Sequence, residues 1–397
     1  MRRLGFVLAC LCGLAVNALI YKPVLGYDPN RDFLGLYPGG RLAGSALVYD
    51  PPSVMAVQKQ AAGVVNPYRL FIRPPFYALL MWPIARLPYR TAFFVYEGLL
   101  LAGVVAFLCL WTIPRRALVI LACCWSMPLL GSIAIAQDDA LLLFLLAAVF
   151  LLLKGDRDFR AGLLMSLCAI KPHLFFSLPF FIGARRLWRF AAGLASGAAV
   201  LVLLCFAGAG PRALSLFAHT ATLTQTNLGI DLMTNLRGLF GGNLAAELSV
   251  AAALAVLVWF VSRRSDLEWS WAVMLAAGLL MSHHAYAADC TILIPVLFLV
   301  LSRSRSDVQR VLAFWLLTPL AYIWLYLDRG FFTQFPLLLL ALSFAIKPRE
   351  PAIVGARKGS GSFPSGGREI SGTGQSDGAF ASSGRMPMGS QADLRQH

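Results

Sequence analysis

About a dozen apolar segments of roughly 11 to 23 residues divide this chain, and short connectors holding charged residues, glycine and proline separate them. In lipid, only α-helices and closed β-barrels pair all their backbone polar groups, and barrel strands would alternate polar and apolar residues, which these segments do not. Only 13% of the residues are charged, whereas about a quarter are charged in soluble domains. The sequence therefore predicts an all-α polytopic membrane protein and excludes a water-soluble enzyme.

The net charge of +15 is a topology signal, because most basic residues lie between apolar segments. With about twelve membrane segments and both termini in the cytoplasm, 17 basic residues fall in cytoplasmic loops and 4 in short outer loops, as the positive-inside rule requires. This alternation needs residues 161–183 to form a hairpin of two half-length helices that turns at Lys171-Pro172. A partnership with nucleic acid is not expected.

Three regions follow from this pattern. The first apolar stretch lacks a clear small-x-small cleavage site and is interpreted as a retained span. A membrane domain is predicted over residues 1–349, with a long outer loop at about 21–90 that carries interfacial helices. Residues 350–397 are predicted to form a disordered cytoplasmic tail, because glycine and serine make up 18 of the 36 residues from Gly355 to Ser390. The eight cysteines lie in apolar segments and are interpreted as packing residues.

The long outer loop concentrates ionisable residues, and its carboxylates Asp28, Asp32 and Asp50 lie among arginines and aromatic residues. A carboxylate beside guanidinium groups at a membrane face can act as a base toward a phosphate-bearing lipid. The alternative is that these carboxylates only cap helices and turns. No Walker loop, dinucleotide fingerprint or hydrolase elbow is present, so a chemical donor would have to arrive already activated, on a lipid.

Three further stretches hold ionisable residues. Gln137-Asp138-Asp139 opens an outward-facing turn, where acids favour the N-terminus of the next helix, and Lys171-Pro172-His173 lies at the tip of the hairpin, so that its charge is near the outer interface. His283-His284-Ala285-Tyr286-Ala287-Ala288-Asp289 interrupts an otherwise apolar pair of half-spans, where ionisable groups are costly and point to function. For His284 the alternative is a hydrogen-bonded packing residue. A zinc site in the last stretch is a weaker possibility, because it rests on a single cluster.

Six motifs occur in a fixed order along residues 1–346. They are Asp32-x4-Tyr37, Tyr49-Asp50-Pro51, Arg73-Pro74-Pro75-Phe76, Gln137-Asp138-Asp139, Lys171-Pro172 and Ser282-His283-His284-x-Tyr286-x-x-Asp289. In this order they resemble glycosyltransferase family 87, the polyprenyl-phosphate-mannose-dependent mannosyltransferases with the GT-C membrane fold. The chain departs from the family pattern at Asp139, where asparagine is usual, and at His283, where proline is usual.

The resemblance implies roles for individual residues. Asp32 matches the general base, and His284 matches a histidine near the donor phosphate or the acceptor, so these two are the expected catalytic residues. Lys171 matches a lysine that helps to hold phosphate, and Arg73 is a second candidate for that task. The remaining substrate contacts expected from the motifs are Tyr37, Gln137, Tyr286 and Asp289.

The resemblance also implies a reaction. A hexose, mannose by analogy, would pass with inversion from a polyprenyl-phosphate sugar donor to a glycolipid or glycan acceptor, without a metal or other cofactor. The site would face the periplasmic or extracellular side of the cell inner (plasma) membrane. A transporter or lipid flippase is the alternative, disfavoured because the charge lies in one asymmetric outer loop rather than in two related halves. A non-catalytic relative that binds polyprenyl phosphate is a third possibility.

Overall fold

The prediction of an all-α protein is confirmed. A computed structural model describes residues 2–21, 27–111, 116–221, 229–327 and 329–346, which contain helices and no β-strand. The predicted tail at 350–397 lies outside the described residues. The α-helices in these ranges are α1 (Arg2–Ile20), α2 (Phe33–Arg41), α3 (Pro51–Ala62), α4 (Pro75–Ala85), α5 (Tyr89–Leu110), α6 (Arg116–Trp125), α7 (Met127–Ala134), α8 (Asp139–Lys154), α9 (Asp158–Met165), α10 (Leu178–Arg185), α11 (Trp188–Ala209), α12 (Ala213–Ala221), α13 (Leu236–Leu239), α14 (Leu244–Arg264), α15 (Leu267–Met281), α16 (Ile294–Arg303), α17 (Asp307–Leu317), α18 (Leu320–Ile323) and α19 (Phe331–Ser343).

Four helices in these ranges, α1, α5, α11 and α14, are long and apolar enough to cross a membrane. Two bent pairs raise the number to six if each pair is one span: α6 with α7, bent by 59°, and α17 with the segment 320–327, bent by 69°. The other predicted segments coincide with shorter or broken helices. The structure is that of a helical membrane protein with four to six candidate spans, and the predicted number of about twelve is not reached by this criterion.

The segment predicted to be a hairpin is broken at Lys171. Helix α9 continues through a 3₁₀ turn, Ser166–Ile170, and a second 3₁₀ turn, Pro172–Phe175, leads into α10. Proline cannot donate the backbone hydrogen bond that a continuous helix would need, and it disfavours the helical conformation in the residue before it. Lys171 accordingly has the non-helical angles φ −132° and ψ 70°.

Ion pairs and hydrogen bonds show that this segment runs out and back. At one end of the bundle, Lys154 pairs with Glu268 at 2.9 Å, and Arg185 donates to the Ser265 carbonyl at 3.0 Å. At the other end, Lys171 pairs with Asp139, the first residue of α8. Lys154 and Arg185, predicted to lie in cytoplasmic loops, thus both contact the start of α15 at one end, and Lys171, predicted to lie in an outer loop, is at the other.

Helices α9 and α11 approach each other closely because glycine lines their interface. A Cβ atom built on Gly162 would collide with the carbonyl oxygen of Phe190, and one built on Gly193 would collide with the carbonyl oxygen of Phe159. Small residues at such positions let two helix backbones come into contact, which is the main source of helix association in lipid.

Substitution of Gly193 by alanine is expected to destabilise the protein by about 1–3 kcal/mol, because the added methyl group would meet backbone atoms that cannot move independently. Gly98, on α5, is a matched control, since nothing lies within 4 Å of a Cβ built there. Thermal unfolding of purified protein in detergent should show a lower melting temperature for Gly193→Ala and not for Gly98→Ala. Equal melting temperatures of the two variants would contradict the close backbone contact between α9 and α11.

The predicted outer loop folds into α2, α3 and α4 beside the start of α5. Helix α2 is buried along nearly its whole length, and the Phe33 ring packs against Tyr89 and Tyr96 with centroids 5.4 and 5.3 Å apart. The hydroxyl of Tyr37 donates to the Leu87 carbonyl at 2.9 Å. This packing fixes the first turn of α2, and with it the residue that precedes the helix, Asp32.

Candidate active site

A cavity of about 370 Å³ lies at the end of the bundle that holds Lys171. A volume of this size falls in the usual range of small-molecule sites. Its polar lining residues are Asp32, Tyr68, Arg69, Arg73, Gln137, Lys171, His173, His283, His284, Tyr286 and Asp289. Seven of the eight predicted site residues, from segments distant in the chain, therefore line one cavity.

Asp32 directly precedes α2 but does not cap it, since its side chain makes no hydrogen bond to the first turn. Its backbone N–H donates to the Ile135 carbonyl at 3.1 Å. Its carboxylate accepts hydrogen bonds from the Arg69 guanidinium and the Gln137 side-chain amide, and 15% of the side chain is exposed. Asp32 is thus held from two sides and faces the cavity.

The two other carboxylates of the outer loop have ordinary structural roles. Asp28 accepts from the Asn30 N–H at 2.9 Å in an exposed turn. Asp50 caps α3, accepting from the Ser53 N–H at 3.0 Å. The alternative of capping carboxylates therefore describes Asp28 and Asp50 but not Asp32.

The position of Gln137 follows from the way α7 ends. Ala136 adopts the left-handed conformation with φ 58°, and the Gln137 N–H donates to the Ser132 carbonyl at 2.7 Å. This is the αL helix ending that glycine usually forms. A non-glycine residue in this region carries strain, and such strain is common at functional sites. The turn directs the Gln137 amide toward the Asp32 carboxylate.

Arg73 is engaged by a buried carboxylate. Its Nε and Nη2 atoms donate to the two carboxylate oxygens of Asp138 at 2.7 and 3.0 Å. Asp138 is fully buried and Arg73 is 9% exposed. A bidentate pair of this kind is both strong and geometrically specific, so most of the charge of Arg73 is neutralised within the protein.

Lys171 stands among three carboxylates. Its Nζ lies 2.6 Å from Asp139, 2.7 Å from Asp289 and 3.6 Å from Asp138. All four residues are nearly or fully buried. Asp289 also accepts from the Tyr286 N–H at 2.7 Å, which fixes the start of the helical turn Ala287–Leu293. Lys171 therefore connects α8, the broken hairpin and the motif at residues 282–289 at one point.

Histidine rings also line the cavity, from His173, His283 and His284. The His284 ring packs edge-on against Tyr286 and His173, with centroids 4.8 and 5.8 Å apart. The neighbouring His283 contacts Arg237 through Nδ1 at 3.2 Å. His284 lies in the loop 282–286, outside the candidate spans, where burial lowers the pKa of its imidazole to about 4. His284 is consequently uncharged near neutral pH.

This lowered pKa predicts a pH-dependent stability. The imidazole takes up its proton near pH 6.5 when unfolded but only near pH 4 when folded, so the unfolded state binds more protons between these values and stability falls as the pH decreases through them. We expect the loss in melting temperature from pH 7 to pH 5 to be smaller for His284→Gln than for the unsubstituted protein. Replacement of the exposed His219 by glutamine is the control. Equal pH dependence in all three proteins would contradict the burial of this imidazole.

Tyr37 is the predicted site residue that the structure places elsewhere. Its side chain is 4% exposed, donates to the Leu87 carbonyl and packs against Tyr89, and it does not line the cavity. Four polar lining residues were not among the predicted site residues: Tyr68, Arg69, His173 and His283. Arg69 carries no local signal, because an arginine in a polar loop is common. His173 directly follows the Lys171-Pro172 motif, and this position in the sequence could have identified it as a site residue.

The described residues include no group of three or more His, Cys, Asp or Glu side chains that could hold a metal ion. No cysteine is among the residues that line the cavity.

A family comparison bears on the chemistry of this cavity. The model of glycosyltransferase family 87 matches residues 71–283, more than half of the chain. Of the predicted site residues, the matched stretch contains Arg73, Gln137 and Lys171. No curated protein and no solved structure matches the chain significantly.

Proposed function

The chain belongs to glycosyltransferase family 87, and from this premise we propose that it transfers a hexose, mannose by family analogy, from a polyprenyl-phosphate sugar to a glycolipid or glycan. The reaction is a single displacement with inversion. Asp32 is the general base and His284 lies beside the reacting groups. The family match and the apolar helices support a membrane-bound sugar transferase, and the sugar, the lipid donor and the acceptor follow by analogy with the family.

The proposed reaction needs one base and one stabilised leaving group. The acceptor oxygen forms a bond to the anomeric carbon of the sugar, the bond from that carbon to the phosphate oxygen breaks, and Asp32 takes the acceptor proton. Polyprenyl phosphate leaves with the electron pair of the broken bond, and a cation beside it stabilises its charge. Neither a second carboxylate nor a metal ion is required in this scheme.

The observation that carries the proposal is the placement of Asp32. Its carboxylate faces the cavity between two donors, Arg69 and Gln137, although the two neighbouring carboxylates of the same loop serve turns and caps. The uncharged imidazole of His284 and the hydroxyl-bearing Tyr286 line the same space and supply hydrogen-bonding groups for sugar hydroxyls.

The proposed architecture is a GT-C-like bundle of about twelve membrane segments in the cell inner membrane. Both termini lie in the cytoplasm, and the cavity opens to the periplasmic or extracellular side. The location of Lys154 and Arg185 at the end opposite the cavity supports this orientation, because basic loops favour the cytoplasmic side. A lipid donor would then enter from the outer leaflet.

The test is a transfer assay with purified protein in nanodiscs. Polyprenyl phosphates carrying radiolabelled mannose, glucose or arabinose are offered together with total membrane lipid and glycan, with EDTA in half of the samples and empty nanodiscs as the control. We expect label to move from the mannose donor, with equal rates with and without EDTA. Transfer from another of these donors would correct the sugar, and loss of transfer in EDTA would overturn the metal-independent scheme. No transfer from any donor would favour the transporter alternative.

A further inference from the structure

The positively charged side chains that line the cavity differ in how deeply they and their carboxylate partners are buried. Among the described lining residues they are Arg69, Arg73 and Lys171. Four carboxylates, Asp32, Asp138, Asp139 and Asp289, pair with these three cations. A negatively charged phosphate that enters such a cavity competes with these carboxylates for the same cations.

Two of the cations are poor candidates for this exchange. Releasing Arg73 would leave Asp138 unpaired at 0% exposure, and releasing Lys171 would leave Asp139 unpaired at 0% exposure. Breaking a buried pair while one charge stays in place is strongly unfavourable. Both cations are also nearly buried themselves, so neither readily reaches a ligand.

Arg69 differs in exposure and in its partner. Its side chain is 34% exposed, and the carboxylate it contacts, Asp32, is 15% exposed at the cavity. When Arg69 moves away, Asp32 retains the hydrogen bond from Gln137 and can be reached by water in the cavity. Of the three cations, Arg69 is therefore the one whose carboxylate partner can be replaced by a ligand phosphate at the lowest cost in free energy.

The backbone of Arg69 is anchored, so that only its side chain has to move. The buried Gln58 amide donates to the Arg69 carbonyl at 2.7 Å, and Gln58 Oε1 accepts from the Asn66 N–H at 2.9 Å. Gly35, in the first turn of α2, permits the close approach, since a Cβ built there would lie 2.7 Å from the Leu70 carbonyl oxygen. The guanidinium thus pivots from a fixed point beside Asp32.

We propose that Arg69 is the residue that binds the donor phosphate and that it leaves the Asp32 carboxylate to do so. The inference rests on the proposed function, because it assigns the phosphate-binding group of that same site. Departure of Arg69 opens one oxygen of the Asp32 carboxylate to an acceptor hydroxyl, while Gln137 still donates to the other oxygen. Binding of the donor therefore frees the base, and the donor must bind before an acceptor hydroxyl can be deprotonated.

The test measures lipid binding by the full-length protein in nanodiscs, with polyprenyl phosphate and polyprenol as probes. The two probes differ only in the phosphate. We expect Arg69→Gln to weaken binding of polyprenyl phosphate by about 10-fold or more, the usual size of a lost charge-assisted hydrogen bond, and to leave polyprenol binding unchanged. Arg41→Gln is the matched control, because Arg41 is an exposed arginine of the same loop that does not line the cavity.

A second variant gives an effect of opposite sign. Asp32→Asn removes the carboxylate that competes for Arg69, so it should tighten binding of polyprenyl phosphate several-fold, and the tightening should vanish in the double variant Asp32→Asn/Arg69→Gln. Unchanged preference for the phosphate lipid in Arg69→Gln, or weaker binding in Asp32→Asn, would overturn the inference. Sugar transfer by the unsubstituted protein is measured in parallel, so that a wrong assignment of Arg69 is distinguished from a wrong donor.

Discussion

Asparagine in place of Asp32 is expected to slow sugar transfer by a factor of about 10² to 10⁴, the usual contribution of a general base. The amide has nearly the same shape and still accepts a hydrogen bond, but it cannot take up the proton of the acceptor hydroxyl. Initial rates of transfer under saturating donor measure the effect. In the proposed scheme this carboxylate does not bind the donor, so binding of polyprenyl phosphate should not weaken in the variant.

The same outer loop offers two matched controls. Asp28→Asn changes an exposed turn, and Asp50→Asn keeps a residue that caps helices about as well as aspartate does. Both variants should transfer sugar at rates close to that of the unsubstituted protein. If Asp32→Asn retained full activity while Asp28→Asn or Asp50→Asn lost it, the base would be the carboxylate whose replacement abolished transfer.

Replacing Lys171 by methionine is expected to destabilise the protein by about 3–5 kcal/mol, because it leaves buried carboxylates without their cation. Asp139 and Asp289 both lie within 2.7 Å of the lysine Nζ, and each carboxylate is buried. Thermal unfolding in detergent and the yield of monodisperse protein measure the loss. Adding Asp139→Asn should restore part of the stability, since one of the unpaired charges disappears.

Lys154→Met is the matched control for this change. Lys154 also forms a carboxylate pair, with Glu268 at 2.9 Å, but its side chain is 42% exposed, and exposed pairs of this kind contribute at most about 1 kcal/mol. A Lys171→Met protein that melted like the unsubstituted one but bound polyprenyl phosphate poorly would show that this lysine serves the ligand. That result would support the phosphate-binding role inferred from the family motif.

The helical organisation was predictable because it leaves local marks in the sequence. Apolar segments bounded by charged or Gly/Pro connectors correspond to the observed helices, and the interruption at Lys171-Pro172 could be inferred from proline chemistry together with the balance of basic loops. The membership in glycosyltransferase family 87 could be recognised from short motifs in order. These signals are read from residue types and their order along the chain, and they need no knowledge of which distant side chains are in contact.

The pairing of charged side chains inside the site could not be predicted from the sequence. Arg73 and Asp138 are 65 positions apart, and Lys171 and Asp289 are 118 positions apart. A lysine in a motif looks the same whether it faces a ligand or a buried carboxylate, and an arginine such as Arg69 gains its significance only from the Asp32 side chain beside it. Burial of Tyr37 is likewise decided by how α2 packs on α5. These are properties of tertiary contact and not of local pattern.

The volume of the cavity has a consequence for selectivity. A space of about 370 Å³ holds on the order of a dozen water molecules when no substrate is present. In the proposed reaction water is a second possible nucleophile, because it also has a proton to give up. Any water molecule left next to Asp32 after the donor has entered would compete with the acceptor hydroxyl for the anomeric carbon. The ratio of glycosylated acceptor to hydrolysed donor then depends on how completely the acceptor displaces water from the cavity when it binds.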